Sequence, residues 1–279
     1  MAPNLRSVHS IAKKEFSDNA RNKWILSIIA IFLILSIASS FMAGRGKVGE
    51  MDMTVGVLMG ISAMLVPLIA IMLGYATISG EAESGALSIV LTCPVSRMEV
   101  LLGKFLGLGS VICFSVLVGF GISGLIMAAT VGGGQWGAYV VFMLLIMLLG
   151  MLYLSLSVCF SSILKRRVTS LAAGIVIFFL GMILGMIMMG VYMSTGGSLA
   201  DFVNGDMSAI PDWLWFEVFL SPQDGSQVAV MQAFGATEFM GYEFDLPSWI
   251  NLGTLVLAQL LWMVIPLTLA SFWFKKRDV

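Results

Sequence analysis

The stretch "FLGLGSVICFSVLVGFGISGLIMAATV", residues 105–131, runs 27 residues without Asp, Glu, Lys, Arg or His. A bilayer core is crossed by about 20 apolar residues in helical form. A membrane strand would instead alternate polar and apolar residues at period two. This run is continuous and predicts a membrane-spanning helix. Similar runs at 24–43, 55–79, 136–164, 168–193 and 249–274 predict five more.

Composition agrees. With 59% hydrophobic and 11% charged residues among 279, and a mean hydropathy of +0.99, the chain has too little polar surface to cover a water-facing globule. The expected fold class is all-α, a polytopic membrane protein of six helices. The polar-rich residues ahead of the first run lack an A-x-A cleavage pattern, which reads as a retained helix and not a signal peptide.

Charge supplies orientation. Of 15 cations, all but Arg45 and Lys47 fall in segments 1–23, 80–104, 165–167 and 275–277. Lys and Arg accumulate in cytoplasmic loops, so both termini and the 80–104 loop are expected on the cytoplasmic side of the inner membrane. The loop 194–248 carries eight acids and no Lys or Arg and is expected outside. Positive-inside sorting alone accounts for those acids. Cys93, Cys113 and Cys159 have no metal-ligand spacing and imply no disulfide framework.

The apolar runs argue against several functions. Proton-coupled carriers place Asp, Glu or His inside the bundle, and these runs contain none. The sole histidine, His9, rules out haem held by paired histidines. "GISG" at 121–124 matches the serine motif of rhomboid-type proteases, but Ser123 has no membrane histidine to act as its base. Gly56/Gly60 and Gly181/Gly185 permit close helix approach. Met182, Met186, Met189 and Met193 recur at i, i+4, i+7 and i+11, a soft thioether stripe that suits Cu(I). Ordinary packing is the preferred reading for it.

The polar loop "GEAESGALSIVLTCPVSRMEVLLGK", residues 80–104, is organised. Residues 80–91 predict one short helix with Glu81 and Glu83 at its positive end. Thr92-Cys93-Pro94 stops it. Ser96-x-x-Glu99 is a capping box that starts the next helix. No G-x-x-x-x-G-K-[ST] phosphate loop is present, so active transport would draw on another polypeptide's ATPase.

"SGEAESGALSIVLTCPVSRMEVLLGKF", residues 79–105, resembles the signature of ABC-2 type permeases. Ala86 departs from the threonine common there. The resemblance implies that this loop contacts a nucleotide-binding subunit, with Glu81, Glu83, Gly85, Pro94, Arg97 and Lys104 in the coupling role. "VHSIAKKEFSDNARNKW", residues 8–24, is similar to the family's interfacial helix, with Val8, Ile11, Ala12 and Phe16 on one side and Lys13, Lys14 and Arg21 available to lipid headgroups. The organisation so implied is an interfacial helix, 1–23, then a type V exporter transmembrane domain, 24–279, with coupling loop 80–104 and outer loop 194–248.

"FLSPQDGSQVAVMQAFG", residues 219–235, resembles the Nos-type branch, whose permeases work with an ATPase and an outward-facing β-helical protein in copper or sulfur supply. Pro222 and Asp224 carry that narrower likeness, and Trp213 and Trp215 fit either an outer docking surface or an aromatic belt. Together the resemblances imply a homodimer with its path at the shared interface, two ATPase subunits binding ATP and Mg, no cofactor or catalytic residue in this chain, and no nucleic-acid partner. The alternatives are export of a drug, lipid or glycan, and a force-transmitting scaffold without cargo.

Overall fold

The computed structural model describes residues 4–20, 27, 30, 31, 34, 51–92, 94–131, 135–198, 210–235, 238, 239, 242, 243 and 246–277. The expected span at 24–43, and Arg21, lie almost wholly outside them. The described elements are α1 (Leu5–Ala20), α2 (Met51–Gly74), α3 (Ser79–Glu83), α4 (Ala86–Leu91), α5 (Arg97–Val131), α6 (Trp136–Ile163), α7 (Arg167–Ser194), α8 (Asp212–Trp215), α9 (Glu217–Leu220), α10 (Pro222–Ala233) and α11 (Leu252–Lys276). A two-residue antiparallel ribbon, β1 (Glu238–Phe239) with β2 (Tyr242–Glu243), precedes α11.

Among the described residues, five helices are long and apolar enough to cross a membrane. The central one is α6, packed by α2, α5, α7, α10 and α11. It is apolar all round, as a helix enclosed by protein and lipid must be; Phe142, Ile146, Leu149, Leu152, Leu154 and Val158 are completely buried, while Val140 and Leu144 are exposed. Its serines do not break it, because Ser157 Oγ donates to the Ile71 carbonyl of α2 (2.9 Å) and Ser162 Oγ to its own helix (2.8 Å). By contrast α7 and α11 leave broad apolar faces exposed, Val176, Phe179 and Ile183 on one, Leu261, Ile265 and Leu269 on the other.

Two expectations are corrected and one is met. Residues 80–91 form two helical pieces, because Gly85 (φ +75) reverses the chain between α3 and α4, a backbone state that glycine alone enters cheaply. As expected, the helix started by the Ser96–Glu99 box runs through Lys104 into the third apolar run, so it carries Arg97, Glu99 and Lys104 within its length. Residues 210–235 fold into three helices that dip among the membrane helices, with α10 against α2, α6, α7 and α11.

The first helix lies along the start of α5. Gly103 and Gly107, one turn apart, form a groove that receives Ile11, Ala12 and Glu15, with Val8 buried and the Phe16 and Phe114 rings edge to face. Lys13, Lys14 and Asp18 face away and are exposed. A Cβ on Gly107 would sit 2.6 Å from Glu15 Cβ and 2.7 Å from the Ala12 carbonyl oxygen. Gly107→Val is therefore expected to cost about 1–3 kcal/mol and to lift α1, read as a lower unfolding temperature and faster protease cutting at Lys13 and Lys14. Gly60→Ala, which meets open space, should change neither.

Candidate functional site: the coupling loop and its anchors

The loop between α2 and α5 is tied down by capping. Helix ends leave backbone groups without partners, which side chains must satisfy. At the start of α5 the expected capping box is present: Ser96 N–H donates to Glu99 Oε2 (3.0 Å) and Glu99 N–H to Ser96 Oγ (3.3 Å). The other Glu99 oxygen accepts from the Asn4 backbone N–H (2.8 Å), joining the N-terminus of α1 to this cap. At the start of α3, Ser161 Oγ on α6 accepts from the N–H groups of Ile78 and Ser79 (3.0 Å each).

Two arginines cap the ends of other helices. Arg97 donates to the Phe274 carbonyl at the end of α11 (2.7 Å) and also reaches those of Lys275 and Arg277. Arg277 in turn donates to the carbonyls of Ser161 (2.8 Å), Ser162 (3.2 Å) and Leu164 (3.2 Å) at the end of α6. A cation is favoured at a helix C-terminus by the dipole as well as by the free carbonyls. Burial pulls the Arg277 guanidinium down from its ordinary value and Glu83 counteracts this, and arginine stays charged throughout. Glu83 Oε1 accepts from the Arg167 backbone N–H at the start of α7 (3.0 Å), and its other oxygen lies 3.5 Å from the Arg167 side chain.

The centre of the arrangement is Lys104. Its side chain is 4% exposed, and its Nζ lies 2.7 Å from Glu15 Oε1 on α1 and 2.6 Å from Glu81 Oε1 on α3. One cation therefore holds α1, α3 and α5 together. The glycines on either side, Gly103 and Gly107, let α1 approach closely enough for Glu15 to reach it. Glu81 Oε2 has no hydrogen-bond partner among the described residues.

The six residues assigned to coupling thus separate by place. Glu83, Gly85 and Pro94 are exposed, Glu81 and Arg97 are partly covered, and Lys104 is buried. The exposed rim continues through Ser84 and Ser88. The roles of Arg97 and Arg277 as helix caps were not visible beforehand, since their partners lie more than 100 residues away in sequence. The only local signal was a basic residue beside each helix end.

The remaining candidates are dispersed. Met182, Met186 and Met193 are on the exposed apolar face of α7, with Met189 partly covered beside them. Trp213 and Trp215 are in α8, Trp215 packed on the core. Pro222 is buried at the first position of α10, and Asp224 faces Gly185 of α7, so neither is brought to a common exposed surface with Trp213. Gly181 and Gly185 accommodate side chains of α9 and α10, with the Tyr153 hydroxyl of α6 also at Gly181.

The family model described as "ABC-2 family transporter protein" matches residues 9–279. The chain belongs to the ABC-2 transporter family. It is 31% identical to the "Probable ABC transporter permease protein NosY" of Stutzerimonas stutzeri over 98% of this chain and 99% of that protein. It is 32% identical to the protein of the same name from Pseudomonas aeruginosa over the same shares. This ABC-2 chain is a multi-pass membrane protein and a transporter's membrane subunit, not an enzyme.

Removing the central cation leaves two carboxylates facing each other with no counter-charge. Lys104→Met is expected to destabilise this permease by about 2–4 kcal/mol, somewhat less than a fully buried pair because Glu81 remains partly exposed. Glu81→Gln, which keeps the Glu15 pair, should cost less than half of that. Thermal unfolding of the purified chain in detergent measures both.

Proposed function

We propose that the α3–α4 loop is the seat of a cytoplasmic ATPase subunit and that the Lys104 cluster passes its movement to α1 and α5. The observation that carries this is the division of the loop into an exposed rim, Glu83 to Gly85 with Ser88 and Pro94, and a buried anchor, Lys104 with Glu15 and Glu81. ABC-2 permeases work with such a subunit. In this reading two ATPase copies bind ATP and Mg, and their closure pushes the loop. Because the loop is fastened to α5 at its far end and to α7 through Glu83, the push reaches two spanning helices and switches the path between inward and outward states.

The same reading puts the face bearing α1, α3 and α4 in the cytoplasm of the inner membrane. Lys13, Lys14, Arg97, Lys104, Lys165, Arg166, Arg167, Lys275, Lys276 and Arg277 all belong to that end, which the positive-inside tendency supports. Two copies of the chain would form the path between them, and the exposed apolar faces of α7 and α11 leave room for that pairing as well as for lipid. The likeness to proteins named NosY supports service to a metalloenzyme through an outer β-helical partner, with copper- or sulfur-linked cargo, in preference to export of a drug, lipid or glycan. Co-purification from gentle detergent with and without residues 198–245 tests the outer partner.

Ser88 lies on the exposed rim and bears no described structural load. Ser88→Trp is expected to weaken association of the ATPase that co-purifies with the wild-type chain by at least about tenfold, roughly 1.4 kcal/mol, while leaving the unfolding temperature unchanged. Unaltered association with unaltered ATP hydrolysis would place the ATPase elsewhere.

A further inference from the structure

The segment 210–235 brings two acids into the bundle. Ser221, N-cap of α10, donates to the Gly181 carbonyl (3.2 Å), and Gln223 Nε2 donates to the Phe178 carbonyl (3.4 Å). Gly181 is near the middle of the 28-residue α7, about 20 Å by helical rise from its end at Ser194. The N-terminus of α10 therefore sits at mid-height in the bundle. Ser at the cap, Pro at the first position and Asp at the third make a strong helix start, and Gly225 lets that turn pack on the Val218 carbonyl of α9.

Glu217 Oε1 lies 3.4 Å and Asp224 Oδ2 3.9 Å from the same Cβ position of Gly185, so both carboxyls face one point of the groove. Two carboxylates have only acceptors to offer, so they meet through a proton or repel. Among the described residues the surroundings supply no cation. From α6 comes Tyr153, its hydroxyl 3.4 Å from the Cβ position of Gly181, and from α11 comes Gln259. Between Val168 and Val191 α7 has no ionisable residue, nor has α2 between Met53 and Gly74 or α11 between Leu252 and Phe274, while α8 adds only another acid, Asp212. Glu217 Oε1 and the oxygen of Gln223, a residue 3% exposed, are buried acceptors without a donor along the same glycine groove. Among the described residues the groove is short of positive charge.

We propose that Glu217 and Asp224 form a proton-binding site, one shared proton bridging the two carboxyls and pinning α9 and α10 against the Gly181–Gly185 groove of α7. The positive end of α10 favours charge on Asp224 at its third position, which leaves the proton on Glu217. Burial, and then the hydrogen bond and charge of Asp224, push the Glu217 carboxyl up from its ordinary value. Because the folded chain holds a proton that an unfolded glutamate has released by neutral pH, stability falls as pH rises toward the alkaline range. Release of that proton to solvent leaves like charges in contact and loosens α9 and α10. This stands independently of where the ATPase binds.

Infrared difference spectra of the purified full chain, titrated from neutral to alkaline pH, test the site. The expected result is a protonated-carboxyl band at neutral pH that disappears on alkalinisation and is missing from Glu217→Gln. That variant keeps the shape and donates an N–H to Asp224, so its unfolding temperature should lose the decline with pH seen in the wild type. No such band in the wild type overturns the proposal, and this arm decides the matter even if the variant fails to fold. A band or pH profile unchanged by Glu217→Gln also overturns it. So does an unfolding temperature raised at fixed pH by calcium or sodium in the wild type alone, since a metal ion would then fill the groove.

Discussion

A buried lysine is the constraint around which one end of this protein is arranged. Transferring an ammonium from water into an apolar interior costs several kcal/mol, which only close, well-directed partners offset. Lys104 meets that demand with Glu15 and Glu81, at 2.7 and 2.6 Å, drawn from two different helices. Either glutamate that moves away takes one of the cation's two ion pairs with it, so α1 and the α3–α4 loop are both fastened to α5 by the same atom. Surface ion pairs, screened by water and salt, would not impose this.

The surrounding helix ends extend the linkage. Arg97 at the head of α5 caps α11, Arg277 beyond α11 caps α6, Ser161 on α6 caps α3, and Glu83 at the end of α3 caps α7. Each of these four helix ends borrows its partner from another helix, so the loop is tied to several helices at once. The serines and glycines of the apolar helices play the complementary part, since they add close contact without bringing charge into the interior. The family relationship identifies the chain as a membrane subunit, and the capping circuit supplies a physical route by which such a subunit could be driven from one face.

What the sequence disclosed follows from the range of the forces involved. Continuous apolar runs announce spanning helices because the bilayer requires them to be satisfied internally, and α6, α7 and α11 begin and end close to where 136–164, 168–193 and 249–274 place them, while α5 ends with the run 105–131 but starts earlier, at the Ser96 cap. The Ser96–Glu99 box was equally legible, being four residues long. Gly85 carried a turn signal that the apolar pattern of 86–91 obscured, and the chain obeys the glycine. The long-range partners of Lys104, Arg97 and Arg277 left no local trace. Residues 219–235 are too polar to read as part of a membrane bundle, and their helix-start signal, Ser221-Pro222, gave no hint that α10 begins among the spanning helices.

The central claim is that loop, α1 and α5 move as one body because Lys104 joins them. Spin labels on Ser88 and Lys13, both exposed, report the distance between the α3–α4 loop and α1 by pulsed electron resonance in the complex with its ATPase, with and without nucleotide. The account predicts one unchanged distance in the wild type and a nucleotide-dependent distance in Lys104→Met. A wild-type distance that shifts with nucleotide as it does in Lys104→Met would contradict it.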